Sequence, residues 1–199
     1  MATTVCSVLG LLCGVLSLTF NVISIATPHW LWTRGQTNFD VGIFWHCDLD
    51  ENYCGDMESL GRFINPRDIV WFRTVQAAFV IAVVGSLLGA IMSFLSHIKF
   101  FESSGTYKTL TIVNIMTMSV ELVSLVLFGL DYTDMFGVDG HIVALNWSFH
   151  LAITSTCFTF LAVVFHAMEA SRAADLIINM QKRLTVWSTP YTLFIDQDP

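Results

Sequence analysis

The sequence predicts an integral membrane protein whose spanning part is all-α, a bundle of four long helices. Three observations predict it. Apolar residues make up 54% of the 199 positions, against ~45–50% in soluble chains on a count that also includes glycine. Charged residues make up 13%, about half the usual ~25%. The charges are also segregated, leaving four stretches nearly empty of them. Each is about as long as the ~20 residues needed to cross a ~30 Å hydrocarbon layer.

The first span, 5–26, carries no Asp, Glu, Lys or Arg. Ser24-Ile25-Ala26 has the form of a signal-cleavage site. No Lys or Arg precedes the run, however, and it exceeds the ~7–15 residues of a signal core, so it reads as a retained span. The second, 74–98, lies between Arg73 and Lys99. Its helix starts earlier by the local chemistry: in Asn65-Pro66-Arg67-Asp68 an asparagine caps, a proline opens and an acid sits in the first turn. A helix over 66–98 would be ~50 Å long and stand above the bilayer. The third span, 109–130, carries one charge, Glu121. The fourth, 142–168, has none but holds His150 and His166. Residues 1–185 thus form one four-span domain, and 186–199 a cytoplasmic tail.

Loop charge sets the orientation. The connection 99–108 has two lysines and one glutamate, 131–141 has three aspartates and no basic residue, and Arg172, Lys182 and Arg183 follow the fourth span. Short basic loops stay cytoplasmic. Both termini are therefore expected inside, with the long loop 27–73 and the short acidic loop outside. Trp30, Trp32, Trp71, Tyr132 and Trp147 are placed to anchor the outer interface. Gly10-x-x-x-Gly14 and Gly85-x-x-x-Gly89 predict close helix packing, within the chain or between chains.

An outer loop lies in an oxidising compartment, so a disulfide is the default for Cys47 and Cys54. Cys6, Cys13 and Cys157 fall in spans and read as reduced packing residues. Asp48-x-Asp50-x-Asn52 has the opening spacing of a calcium loop. Tyr53 stands where that loop needs glycine and Ser59 where it needs glutamate, so the stretch reads as a solvated acidic turn. No metal and no cofactor are expected.

The outer loop also carries a pattern: Trp30, then Gly42-Ile43-Phe44-Trp45-His46-Cys47, then Cys54, then Arg73. It resembles the peripheral myelin protein, epithelial membrane protein and claudin superfamily, whose loop between spans one and two reads W…G-L-W-x-x-C…C…R. Ile43 stands for the leucine and Phe44 for the second tryptophan; the phenylalanine also occurs in lipoma-fusion-partner-like tetraspans. The resemblance covers the whole topology. It implies a left-handed four-helix bundle under a small extracellular antiparallel sheet from the first outer loop. A Cys47–Cys54 disulfide would pin neighbouring strands, and the aromatic motif would anchor the sheet at the bilayer. The strand-like spacing of residues 39–45 agrees. The terminal Asp196-Gln197-Asp198-Pro199 lacks the hydrophobic scaffold-binding end of barrier claudins. The second loop, about eleven residues, is short for one that pairs across cells.

Inside the membrane, Glu121 and His150 fall at similar depth. Intramembrane ionisable groups are costly and face the bundle interior. Two arrangements fit: a Glu121–His150 pair, or a neutral Glu121 bonded to backbone or Asn114, the second being preferred; one acid makes no proton relay. The Asn146-Trp147-Ser148 sequon lies too near the fourth span to be modified. After that span, Ala173, Leu176, Ile177, Met180 and Leu184 share one helical side, with Arg172, Asp175, Asn179, Lys182 and Arg183 elsewhere. This segment reads as an extension of the fourth helix, an interfacial helix or a docking surface, ended by Pro190.

Net charge of −7 leaves no basic stripe for nucleic acid. No motif for nucleophilic, metal-dependent or phosphate-transfer catalysis is present, so neither an enzyme nor a small-molecule substrate is expected. The expected partners are lipid and other membrane proteins. Two roles follow from the resemblance. One is a junction or adhesion protein at the plasma membrane that self-associates laterally, its outer acids (Asp40, Asp48, Asp50, Glu51, Asp56 and Glu58) attracting cations. The other is an auxiliary subunit of a channel or receptor.

Overall fold

The computed structural model describes residues 5–35, 38–56, 66–98, 104–136 and 142–188. Among the described residues there are four helices: α1 (Val5–Ala26), α2 (Pro66–His97), α3 (Ser104–Phe136) and α4 (Trp147–Ser188). All four are long and apolar enough to cross a membrane. They close a ring in which α1 packs on α2 and α4, and α3 packs on α2 and α4. α2 begins at Pro66 as its proline predicts; the capping Asn65 lies outside the described residues.

Five strands form one antiparallel sheet over the bundle: β1 (Leu31–Arg34), β2 (Phe39–Val41), β3 (Trp45–Asp48), β4 (Tyr53–Asp56) and β5 (Ile142–Leu145), in the order β4-β3-β2-β1-β5. Two sequence expectations are corrected here. Residues 39–45 are not one strand. The chain turns at 42–44, where the Gly42 amide donates to the Trp45 carbonyl at 2.7 Å, so β2 and β3 form a hairpin. Nor does the sheet come from the first loop alone. Residues 142–145, expected as the start of the fourth span, form β5 and pair with β1 from Leu31↔Leu145 to Arg34↔Ile142. The exposed edge of β1 offers unpaired backbone groups that a fifth strand satisfies.

Sheet and bundle share one core. Trp30, Leu31, Val41 and Ile43 from the segment between α1 and α2 pack with Phe72, Val75 and Phe79 of α2, Leu125 and Phe128 of α3, and Phe149 and Ala152 of α4. Below this layer the interior is different. Buried side chains there include Ser17, Asn21, Ser86, Ser93, Asn114, Thr117, Glu121, Ser155, Thr159 and His166. Large apolar side chains, such as Leu12, Ile81, Leu88, Met116, Val123 and Phe160, point outward. A surface of this kind suits lipid, which gives helices no hydrophobic reason to associate. Small residues and interhelical hydrogen bonds then do the holding.

Candidate functional site

The junction between sheet and bundle is built around Trp30. It is fully buried, not an interfacial anchor as the sequence predicted. Its ring meets Phe79, Phe128 and Phe149 edge-on, with centroids at 4.7, 5.1 and 5.6 Å. Its indole N–H donates to the Ser24 carbonyl at 2.7 Å, satisfying a carbonyl near the end of α1. Its own amide donates to Val41, and its carbonyl accepts from Asn146. One residue therefore links α1, β2 and the start of α4.

The other motif residues surround it. A Cβ on Gly42 would strike the Thr27 carbonyl and Pro28, so only glycine lets β2 pass the end of α1. Ile43 is fully buried, and its carbonyl accepts from Gln76 of α2 at 2.6 Å. Phe44 packs half-buried against the same core. Arg73 lies on the exposed side of α2, more than a turn past its start. Ser148 ties α4 to the end of α1: its carbonyl accepts from Ser24 at 2.7 Å, and its hydroxyl meets that of Thr27 at 2.7 Å.

Cys47 and Cys54 form a disulfide between register partners of β3 and β4. The four-residue loop between β3 and β4 is tightly specified. Asp48 accepts the amides of Asp50 and Glu51 at 2.9 and 3.1 Å. Asn52 takes a left-handed φ of 56°, a conformation asparagine tolerates. The calcium-like spacing thus serves a turn. Asp50 receives the Asn38 backbone and side-chain N–H groups at 2.8 and 3.0 Å. These bonds hold its carboxyl below the usual range, because they favour the charged form.

The acids of residues 40–56 therefore do not form one open field. Asp40 is buried, bonded by both terminal nitrogens of Arg34 at 3.1 Å and by His29 at 3.0 Å. Asp48 and Asp50 are engaged by the turn and by Asn38, while Glu51 is exposed. Asp56 is exposed on β4 and has a partner; Glu58 lies outside the described residues. Arg34 also sits 5.3 Å from the Trp32 ring, and His29 stacks near Trp147 at 5.3 Å. On the same hairpin, Trp45, Leu49 and Tyr53 expose about half their surface (49%, 47% and 55%).

Within the bundle Glu121 is fully buried and draws partners from the other three helices. The Asn21 amide of α1 donates to it. Ser86 of α2 donates at 3.4 Å and Thr159 of α4 at 3.3 Å. Asn21 also donates to Ser86 at 3.2 Å, and Ser17 meets Thr159 at 2.7 Å. His150 is not part of this group: its side chain is exposed on α4. Neither is Asn114, which packs against Gly89. Nor do Glu121 and His150 share a depth: α3 runs on to Phe136, 15 residues past Glu121, while α4 starts at Trp147, 3 before His150, so the level of Glu121 falls at Thr159, ~14 Å further along α4.

Three of the four motif glycines face polar partners. A Cβ on Gly10 would lie 2.5 Å from the His166 ring, one on Gly85 would strike the Thr117 hydroxyl, and one on Gly89 would lie 2.8 Å from Asn114. Gly14 faces open space. Sequence reasoning gave His166 no role. It is buried between α1 and α2, with Nε2 3.0 Å from Ser93 and Nδ1 unpartnered. Its place in a 3-and-4 stripe with Ser155, Thr159 and Ala162 was the available signal. Comparison with known proteins brings no match to a protein family and none among curated proteins.

Proposed function

We propose that the chain is a claudin-like four-span protein of the plasma membrane that acts in cell–cell adhesion or a paracellular barrier by lateral self-association. Both termini face the cytoplasm in this reading, and the sheet stands outside. The observation that carries it is the disulfide-pinned sheet, drawn from the segments before α2 and before α4 and fixed to the bundle through Trp30. A cross-linked hairpin can present Trp45 on one face and Tyr53 on the other to neighbours at low ordering cost. The Trp30…Gly42-Ile43-Phe44…Cys47…Cys54…Arg73 pattern supports the same assignment.

A second reading, an auxiliary subunit of a channel or receptor, is favoured by one feature. A groove of about 360 Å³ lies between α3 and α4, lined by Met118, Leu122, Thr156, Cys157, Phe160 and Leu161. Such a groove can receive side chains from a partner's span. Affinity purification from native membranes in mild detergent, with quantitative mass spectrometry, separates the two. Self-association with adhesion or cortical scaffold proteins supports the junction role. A channel or receptor subunit at near-equal amount replaces it with the auxiliary role.

A further inference from the structure

Glu121 is fully buried, and among the described residues no basic side chain meets it. Its neighbours are Asn21 of α1, Ser86 of α2, and Thr156 and Thr159 of α4. The other titratable groups buried deep in the bundle, Cys13, His166 and Glu169, sit a turn or more farther along their helices. An ionised carboxylate in such a place needs a positive charge beside it.

The surrounding hydroxyls leave room for one. Thr156 donates its hydrogen to the Ala152 carbonyl and Thr159 has the Ser155 carbonyl as an acceptor, both at 3.1 Å. The two threonines can therefore turn lone pairs toward Glu121. Thr159 lies 3.3 Å from one carboxylate oxygen and Ser86 3.4 Å from the other. A hydroxyl bonded to a carboxylate sits closer, at ~2.5–2.7 Å. Oxygens that hold a hard cation of calcium's size at ~2.4 Å lie ~3.4 Å apart along the edge of an octahedron.

We propose that the two Glu121 oxygens and the hydroxyls of Ser86, Thr156 and Thr159 hold a sodium ion. From α1, Asn21 donates to the carboxylate, and Ser17 supports Thr159 at 2.7 Å. Charge selects a monovalent ion: one carboxylate balances one positive charge, and a divalent ion would leave a net charge buried. Size selects sodium, which is close to calcium, over the larger potassium. The all-oxygen ligand set suits a hard cation, and among the described residues no three of His, Cys, Asp and Glu gather as a transition metal requires. The ligands come from three helices and their supports from the fourth, so the bound ion ties the whole bundle together.

The test uses the full chain in nanodiscs of neutral phosphatidylcholine, unfolded by heat at constant ionic strength while choline chloride is exchanged for sodium or potassium chloride. An ion that binds only the folded chain should raise the midpoint by about 3–6 °C for each tenfold rise in sodium above its dissociation constant. Potassium should do less and choline nothing. Lower pH should demand more sodium, because protons compete for the same carboxylate. Glu121→Gln should abolish the sodium response. Thr156→Val with Thr159→Val removes two oxygens and keeps the charge, and should require at least about tenfold more sodium. The exposed-site variant Glu51→Gln should respond as the unaltered chain does. Equal midpoints in all three salts would mean that a proton alone neutralises Glu121, and would overturn the proposal. So would a sodium response that survives Glu121→Gln. The unaltered chain, purified in radioactive sodium and desalted into choline, should also retain label; no retained label overturns the site whether or not the variants fold.

Discussion

Replacing Trp30 by alanine should be the most damaging single change where the sheet meets the bundle. A buried tryptophan removes ~150–250 Å² from solvent. At ~25 cal/mol per Å² this corresponds to ~4–6 kcal/mol, an upper bound because the denatured chain already buries part of that area. The three edge-on ring contacts would be lost as well. The Ser24 carbonyl would lose its donor, adding ~1 kcal/mol or more. The expected cost is about 4 kcal/mol, within the range for Trp→Ala in cores. Trp30→Phe keeps most of the ring surface and loses the indole donor, for about 1–2 kcal/mol. Trp45→Ala, at a half-exposed position, serves as the reference at ~1 kcal/mol or less. Equilibrium unfolding in mixed micelles, followed by helical circular dichroism, gives all three values. A Trp30→Ala variant no less stable than Trp45→Ala would refute the view that sheet and bundle share one core.

Gly85→Ala should cost about 1–3 kcal/mol through collision with Thr117, and Thr117→Ala should recover most of it in the same unfolding assay. Glu121→Gln and Asn21→Ala should be non-additive by ~0.5 kcal/mol or more, because the two side chains bond directly; Glu121→Gln and His150→Ala should add, measured as a double-mutant cycle. For Asp50, whose folded carboxyl titrates below its ordinary value of about 3.8, the favourable contribution is present above that value. It is lost as pH falls toward the lowered one. Amide exchange in the β3–β4 hairpin should therefore accelerate as pH drops below ~4, after correction for intrinsic rates, and Asn38→Ala should remove that acid sensitivity.

The four helices were legible because apolar length and charge segregation are strong signals over ~20 residues. The start of α2 was legible from its proline. The Cys47–Cys54 pair was legible from compartment reasoning, and the register pairing of β3 and β4 fits it. Residues 142–145 were misread because Ile-Val-Ala-Leu joins the following apolar run, and a short apolar stretch does not distinguish strand from helix. The overlooked cue was Asn146, whose side chain accepts the Trp147 amide and whose carbonyl receives the first helical bonds of α4. Trp30 was read as an anchor because tryptophans near span ends usually are. Nothing local shows that β1 and β2 fold over it. The partners of Glu121 lie on three other helices, and depth counted from residues 130 and 142 put His150 at its level because α3 ends at Phe136 and α4 starts at Trp147.

The placement of those partners has a consequence for how the chain is made. Asn21 and Ser86 precede Glu121 in the sequence, and Thr159 follows it. When α3 leaves the ribosome it carries an acid that is costly in hydrocarbon, but two of its hydrogen-bonding partners are already in the membrane. The first two spans can thus act as a receiving surface for the third, and α4 completes the group last. An Asn21→Leu chain would present α3 to the insertion machinery with one receiver gone, and its defect should appear as a third span left outside the bilayer during synthesis.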